Sequence, residues 1–306
     1  MIIILGPTAT GKTTFATHLA LKIDGEIISA DSRQVFRGMD IGTGKDLSEY
    51  TIDGKLIPYH LIDIVDPGVE FSVFNFQHGC YQAYDSILEK NKKPILCGGT
   101  GLYLESITSA YPLIEVPHNE RLREKIASKT LEELSKYLET FKPLHNHTDT
   151  DSYERIFRAI EIQKFYASHK EEVENSRRII PHIVFGIDLD REVIRQKITQ
   201  RLKQRLEEGM ISEVENLLNS GISHARLERY GLEYKYVSLY LSGKISKEIL
   251  FNELNIAIHQ FAKRQTTWFR RMERNGITIN WINGLLSTEE KVQESLKVIA
   301  KSNLLV

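Results

Sequence analysis

Short unbroken apolar runs alternate with amphipathic stretches through roughly the first 110 residues of the chain. The runs at Ile2–Leu5, Glu26–Ser29, Tyr59–Ile64 and Pro94–Cys97 have the length and continuity of strands buried on both faces. The stretches between them carry the helical period. In Thr14–Leu21, Phe15 and Leu19, and Ala16 and Ala20, stand four apart, and a longer amphipathic helix is expected over Val73–Lys90. Strands alternating with helices predict an α/β fold built on a doubly wound parallel sheet. The pattern changes over 117–176, where LREKIASKTLEELSKYLETF and SYERIFRAIEIQKFYASH are helical and charged and are joined by KPLHNHTDTD. HIVFGIDL (182–189) reads as one more buried strand, and three long helices are expected from there to about residue 274. The expected organisation is a core of 1–116 with 177–306, interrupted by a helical insertion at 117–176.

Composition narrows the function classes. Over 306 residues, 26% are charged, 41% hydrophobic and the net charge is −1, so a nucleic-acid partner would have to be met by local basic patches. Cys80 and Cys97 form no C-x-x-C pair, which excludes a disulfide framework or a cysteine zinc site. His145 and His147 lack partner ligands and read as a solvated loop. No apolar run approaches the roughly 18 residues of a membrane span, and the chain opens into a strand without a signal-peptide pattern. A monomeric cytoplasmic protein is the expectation.

Directly after the first strand stands GPTATGKT, residues 6–13. Loops of the form G-x-x-x-x-G-K-[ST] between a strand and a helix turn backbone N–H groups around linked phosphates. The lysine reaches the outer oxygens and the last hydroxyl is placed to ligate Mg²⁺. Strand, loop and helix all occur here in order, so the fold class becomes a P-loop NTPase-like doubly wound parallel sheet with a helical insertion domain. The loop alone does not distinguish a nucleotide from another pyrophosphate. Asp31 closes the second strand, expected beside the phosphate-loop strand, as a proton acceptor or as the cap of a short turn; spacing leaves both open. A nucleotide hydrolase also wants an acid on a neighbouring strand for Mg²⁺, and only Asp63 or Asp66 of HLIDIVDP offers one. PILCGGTGLY instead ends in glycines, which would let a substrate approach the backbone, and in Thr100 with its hydroxyl.

Basic residues supply the remaining signal. Ile194, Ile198, Leu202 and Leu206 make a core stripe at helical spacing, while Lys197, Arg201 and Arg205 make a second stripe on another face, solvated or ligand-facing. HQFAKRQTTWFRRMER carries five basic residues against one acidic, interleaved with Phe261, Trp268 and Phe269. Cations for phosphates and aromatic rings for splayed bases are how single-stranded RNA is held. Arg155 and Arg158 add a further basic site.

Taken in order, GPTATGKT, ISADSRQVFRGMDIGTGK, LIDIVDP, FSVFNFQ, CGGTGLY, ERIFRAIEI, the QRL…EGMISEV helix, GLEY and AKRQTTWFRR resemble the tRNA dimethylallyltransferases (tRNA isopentenyltransferases) of the bacterial type, over nearly the whole chain. The resemblance implies transfer of a dimethylallyl group from dimethylallyl pyrophosphate to N6 of the adenosine at position 37, next to the anticodon of tRNA. It implies that Asp31 is the general base, with Thr100 near the amine. Gly6, Pro7, Thr8, Ala9, Thr10, Gly11, Lys12 and Thr13 would hold the pyrophosphate, Thr13 with Mg²⁺, and Arg201 would be a second cation on it. Contacts to the anticodon stem-loop are implied for Asp31, Ser32, Arg33, Gln34 and Thr100 in the core. In the insertion they are implied for Arg123, Glu154, Arg155, Ile156, Phe157 and Arg158, and near the C-terminus for Gln260, Lys263, Arg264 and Gln265. This sequence departs from the family at Ile258-His259-Gln260, where Thr-Arg-Gln is usual, and at Arg205, often Met near the donor channel. The rival readings are an adenylate isopentenyltransferase, a small-molecule P-loop kinase and a non-catalytic RNA-binding protein. The insertion and the basic helix speak against the first, and intact Lys12, Thr13 and Asp31 against the last.

Overall fold

Every residue of Ile2–Leu5 is buried in strand β1, as a four-residue run without a polar face requires. A computed structural model describes residues 1–144 and 149–302; His145 and His147 lie outside the described residues. After β1 come β2 (Gly25–Ala30), an antiparallel hairpin of β3 (Thr51–Ile52) and β4 (Lys55–Leu56), then β5 (Tyr59–His60), β6 (Lys93–Gly98), β7 (Ile183–Asp188) and β8 (Ile279–Asn283). Six of these form one sheet in the order β5-β2-β6-β1-β7-β8, with every pairing parallel.

The chain divides into two compact units, Met1–Ser109 with Ile179–Val306, and Ala110–Arg178. In the first, side chains alternate across the sheet. Ile2, Ile4, Ile27 and Ile95 pack with Phe15 and Leu19 of α1 (Lys12–Ile23). Ile3, Leu5, Ile28 and Leu96 face the other way, onto Phe76 of α2 (Val73–Glu89) and Leu104 of α3 (Gly101–Thr108). That is double winding, with apolar cores on both faces.

The second unit is helical: α4 (Glu120–Ile126), α5 (Leu131–Glu139), α6 (Tyr153–Ser168) and α7 (Lys170–Asn175). Asn119, Thr130 and Ser152 cap the first three through their side chains. Leu122, Leu134, Leu138, Ile156 and Ile160 make its own small core. Its edges fall at 110 and 178, where the pattern of the sequence put 117 and 176.

Back in the first unit, five helices, not three, fill the span to residue 274: α8 (Arg191–Glu207), α9 (Met210–Asn219), α10 (His224–Leu227), α11 (Leu232–Leu241) and α12 (Lys247–Arg274). Glycines divide them. Gly209 (φ 105°) breaks α8 from α9, and Gly243 (φ 72°) precedes the Ser246 cap of α12. β8 and α13 (Thr288–Lys301) complete the sheet unit beyond the elements expected from the sequence. The strand expected at Tyr59–Ile64 stops at His60, because Leu61 (φ 60°) and Asp63 (φ 55°) leave the extended region. β2 is not beside β1 either: β6 runs between them. No helix among the described residues is long and apolar enough to cross a membrane.

Candidate active site

The turn from β1 into α1 wraps residues 6–13. Ala9 (φ 63°) and Gly11 (φ 77°) take left-handed conformations, and a Cβ at Gly6 would stand 3.0 Å from Thr10 Oγ1. Thr10 Oγ1 (2.8 Å) and Lys12 Nζ (2.7 Å) both donate to the Pro7 carbonyl, closing the loop on itself. α1 begins after Gly11 with no side-chain cap and no acid in its first turn, so its first N–H groups are left for an anion. Burial pulls the Lys12 ammonium down to about 8, with Arg201 adding to the effect and nearby acidic groups opposing it.

At the carboxyl ends of β1, β6 and β2 opens a cavity of about 840 Å³. Thr8–Thr13 form one wall; Asp31–Gln34 and Thr100 form the next. The remaining wall comes from α8, α11 and α12; Arg201 and Arg205 face into the cavity, and Lys197 stands exposed at its edge. Gly6 and Pro7 lie buried behind the loop.

Asp31 Oδ1 accepts the Arg33 N–H at 2.8 Å, an Asx turn that leaves Oδ2 for other work. Asp31 thus shapes a turn, as the cap reading expected, and it also lines the cavity. Thr100 Oγ1 accepts the Ser32 N–H at 3.0 Å, and the Thr100 N–H donates to the Ala30 carbonyl at 3.2 Å. Thus the turn just beyond β6 holds the backbone on both sides of Asp31. Glu49 is a cavity residue that no motif singled out; Thr14 Oγ1 donates to it at 3.0 Å, and burial raises its pKa. Glu233 of the GLEY stretch also lines the cavity, its pKa raised by burial against the pull of Arg205 and Arg201.

Several assignments made from the sequence are overturned. Gln265 is 8% exposed and spans the core: its Oε1 accepts the Thr8 N–H and its Nε2 donates to the Gly99 carbonyl, both at 2.9 Å. It braces the loop from α12 and is spent as an RNA contact. The glycines of CGGTG admit protein, not substrate, since a Cβ at Gly98, Gly99 or Gly101 would collide with Ala30, Gln265 or Trp268. Phe269 is fully buried, and Arg271 lies 4.0 Å over the Trp268 ring, which is half-buried in the cavity lining; Phe261, 39% exposed, is the more open aromatic there. Asp63 pairs with buried Lys45 and Asp66 with Arg37 at 2.8 Å, away from the cavity lining. Arg264 lines the cavity, while Gln260 and Lys263 face solvent on α12.

Within the unit Ala110–Arg178, Ile156 is fully buried core and presents no face to RNA, while Phe157 packs half-buried against that core. Glu161 gathers the Arg123 guanidinium (2.7 and 3.0 Å), the Asn119 N–H (3.0 Å) and Arg158 (3.3 Å). Burial alone would raise that carboxyl; these partners outweigh it and hold it at about 2. Arg158 also donates to the Val116 carbonyl at 2.7 Å, while Arg155 pairs with Asp151 at 2.6 Å on the exposed face that also carries Glu154.

Residues 34–272 match the IPP transferase family and residues 1–54 the isopentenyl transferase family. The tRNA dimethylallyltransferase 2 of Phocaeicola vulgatus is 54% identical over 303 residues, covering 99% of this chain and 98% of its own. The tRNA dimethylallyltransferase 1 of Parabacteroides distasonis is 52% identical over 299 residues, covering 98% and 97%. Among solved structures, the full-length tRNA isopentenylpyrophosphate transferase of Bacillus halodurans is 32% identical with a TM-score of 0.72, over 98% of this chain and 95% of that one. Sequence and fold agree along nearly the whole length, and the chain belongs to the tRNA dimethylallyltransferase family.

Proposed function

We propose that the protein transfers the dimethylallyl group of dimethylallyl pyrophosphate to N6 of adenosine 37 in tRNA. The observation that carries the proposal is one cavity holding both halves of the chemistry: an anion loop with buried cations, and a carboxylate at the end of β2. In this reading the N6 lone pair attacks C1 of the dimethylallyl group, the C1–O bond breaks, and pyrophosphate leaves with the electron pair. The free N–H groups of α1, Lys12 and Arg201 take up the charge that develops on the leaving group, in a site where low dielectric strengthens each interaction. Asp31 Oδ2 takes the N6 proton, its other oxygen being committed to the Arg33 N–H. Thr100 holds the backbone beside that carboxylate through the Ser32 N–H.

The donors around the loop are hydroxyl and carboxylate oxygens, and no cluster of three or more His, Cys, Asp or Glu suited to a metal occurs among the described residues. That set fits a hard divalent ion that draws most of its ligands from phosphate and water. Thr13 would hold Mg²⁺ there, and the ion would help neutralise the pyrophosphate. The tRNA contacts fall to Arg33 and Arg264 on the cavity wall, to exposed Lys263, to Arg155 on an exposed face though paired with Asp151, and to Phe261 as a ring for a splayed base.

Labelled dimethylallyl pyrophosphate offered with total tRNA, and separately with AMP, tests the proposal. Label is expected in tRNA; label in AMP alone, or ATP turnover dependent on Lys12 without prenyl transfer, would replace it. Asp31→Asn should bind tRNA within a few fold of normal and lose about 10²–10⁴ in turnover. Near-normal turnover would remove Asp31 as the base.

A further inference from the structure

Arg205 stands one helical turn beyond Arg201 on α8 and lines the same cavity. Only 6% of it is exposed, and its Nη2 is closed off from solvent with no hydrogen-bond partner among the described residues. A buried guanidinium N–H without an acceptor is costly, more so because the group is charged. The nearest carboxylate, Asp46 Oδ2, is 3.6 Å away, beyond hydrogen-bond reach, and its side chain is half in water at 51% exposure. Gly44 is what admits the guanidinium: it has a φ of +68°, and a Cβ there would collide with Arg205.

The neighbouring cation is no better matched. Arg201 donates to the neutral Thr8 hydroxyl of the phosphate loop, and no carboxylate lies within ion-pair distance of it among the described residues. Burial, then the repulsion of Arg205, pulls its pKa down to about 10. Two guanidinia four residues apart have one long contact to a half-solvated acid between them; Glu233 attracts both and Glu49 attracts Arg201, but only from beyond ion-pair distance, so no acid neutralises either guanidinium directly. An anion bearing several charges would meet both guanidinia directly.

Resting on the reading of the loop as a pyrophosphate site, we propose that Arg205 is a second pyrophosphate-binding arginine. Its guanidinium turns on the helix and exchanges the long contact with Asp46 for an oxygen of the donor's pyrophosphate. Asp46 is then a resting counter-ion, which holds the guanidinium in place until the donor arrives and competes weakly with it. Arginine suits the role because a planar fork can serve a phosphate oxygen and a neighbouring carboxylate in turn.

Opposite signs for the two partners test this. Inorganic pyrophosphate, titrated calorimetrically into the full-length protein with Mg²⁺ present in every arm, should bind Arg205→Met roughly 10- to 100-fold more weakly than wild type. Asp46→Asn, which removes only the competitor, should bind as tightly as wild type or tighter. Arg205→Lys, keeping the charge with a single donor group, should fall between and serves if the Met variant does not fold. Equal affinity in wild type and the Arg205 variants overturns the proposal. So does an Asp46→Asn loss as large as the Arg205→Met loss, because Arg205 would then act only by bracing the Gly44–Asp46 turn. Wild type that binds no pyrophosphate would remove the donor reading itself, an outcome distinct from either.

Discussion

The cavity of the sheet unit and the small helical unit are both rich in basic side chains, and they treat them in opposite ways. Around the phosphate loop Lys12, Arg201 and Arg205 are sunk into the wall with carbonyl and hydroxyl partners or a distant carboxylate. In Ala110–Arg178 each of Arg123, Arg155 and Arg158 has an acid within 3.3 Å. Unbalanced, desolvated cations are a demand for an anionic ligand; balanced ones are mortar for the unit's own fold. A run of arginines in a sequence says nothing about which case applies. The difference lies in whether acids on other elements arrive to meet them.

The largest effects should come from the unbalanced set. Lys12→Ala is expected to cut kcat/KM for the donor by about 10²–10³, the usual loss when one preorganised donor to developing charge is removed. A loss below about tenfold in steady-state kinetics would place the leaving group elsewhere.

Next comes the balanced set. Glu161→Gln strands Arg123 and Arg158 and should destabilise the helical unit by about 2–3 kcal/mol. That is somewhat less than the ~3–5 of a fully buried pair, because both arginines keep part of their surface in water. Urea unfolding followed by a probe in 110–178 measures it, and an unchanged midpoint would contradict the account of Glu161 as the hub. The same carboxyl sets an acid limit. Its folded pKa of about 2 lies below the unfolded ~4.3, so its contribution is complete above pH ~4.3 and is lost as pH falls toward 2. The Gln variant should lack that part of the acid transition.

A smaller effect separates the regions by pH. Lys12, depressed to about 8 chiefly by burial, must be protonated to serve an anion. Pyrophosphate affinity should therefore hold below pH 8 and fall by up to about tenfold per unit above it, until the raised pKa of the complex is reached. A flat calorimetric profile from pH 7 to 9.5 would mean that the lysine stays charged throughout. The smallest effect belongs to Arg155, exposed and paired with Asp151. Arg155→Gln should change stability by less than ~1 kcal/mol, yet lower the slope of log K for tRNA against log salt by about 0.7–0.9. An unchanged slope would assign Arg155 wholly to the fold.

Contiguous features were legible in the sequence because local chemistry decides them. The phosphate loop is eight consecutive residues whose glycines and following helix shape an anion site on their own. β1, β2, β6 and β7 declared themselves as apolar runs, and the Ile198–Leu202 stripe as core. What lies opposite a side chain has no local signature. Gln265 sits in a basic stretch as any solvent-facing residue might, and it turns inward only because Thr8 N–H and Gly99 O, 257 and 166 residues away, converge on it. Ile156 belongs to an RNA-like motif and is buried because α5 covers it. The backbone beside Asp31 is held by Thr100, which follows β6, a strand that stands between β1 and β2 in space though not in sequence. Even the end of β5 was set by two left-handed residues within an apolar stretch. Periodicity tells which side of an element is apolar or charged. Only tertiary packing decides what that side meets, and for a buried cation this settles whether the charge belongs to the fold or is left for a ligand.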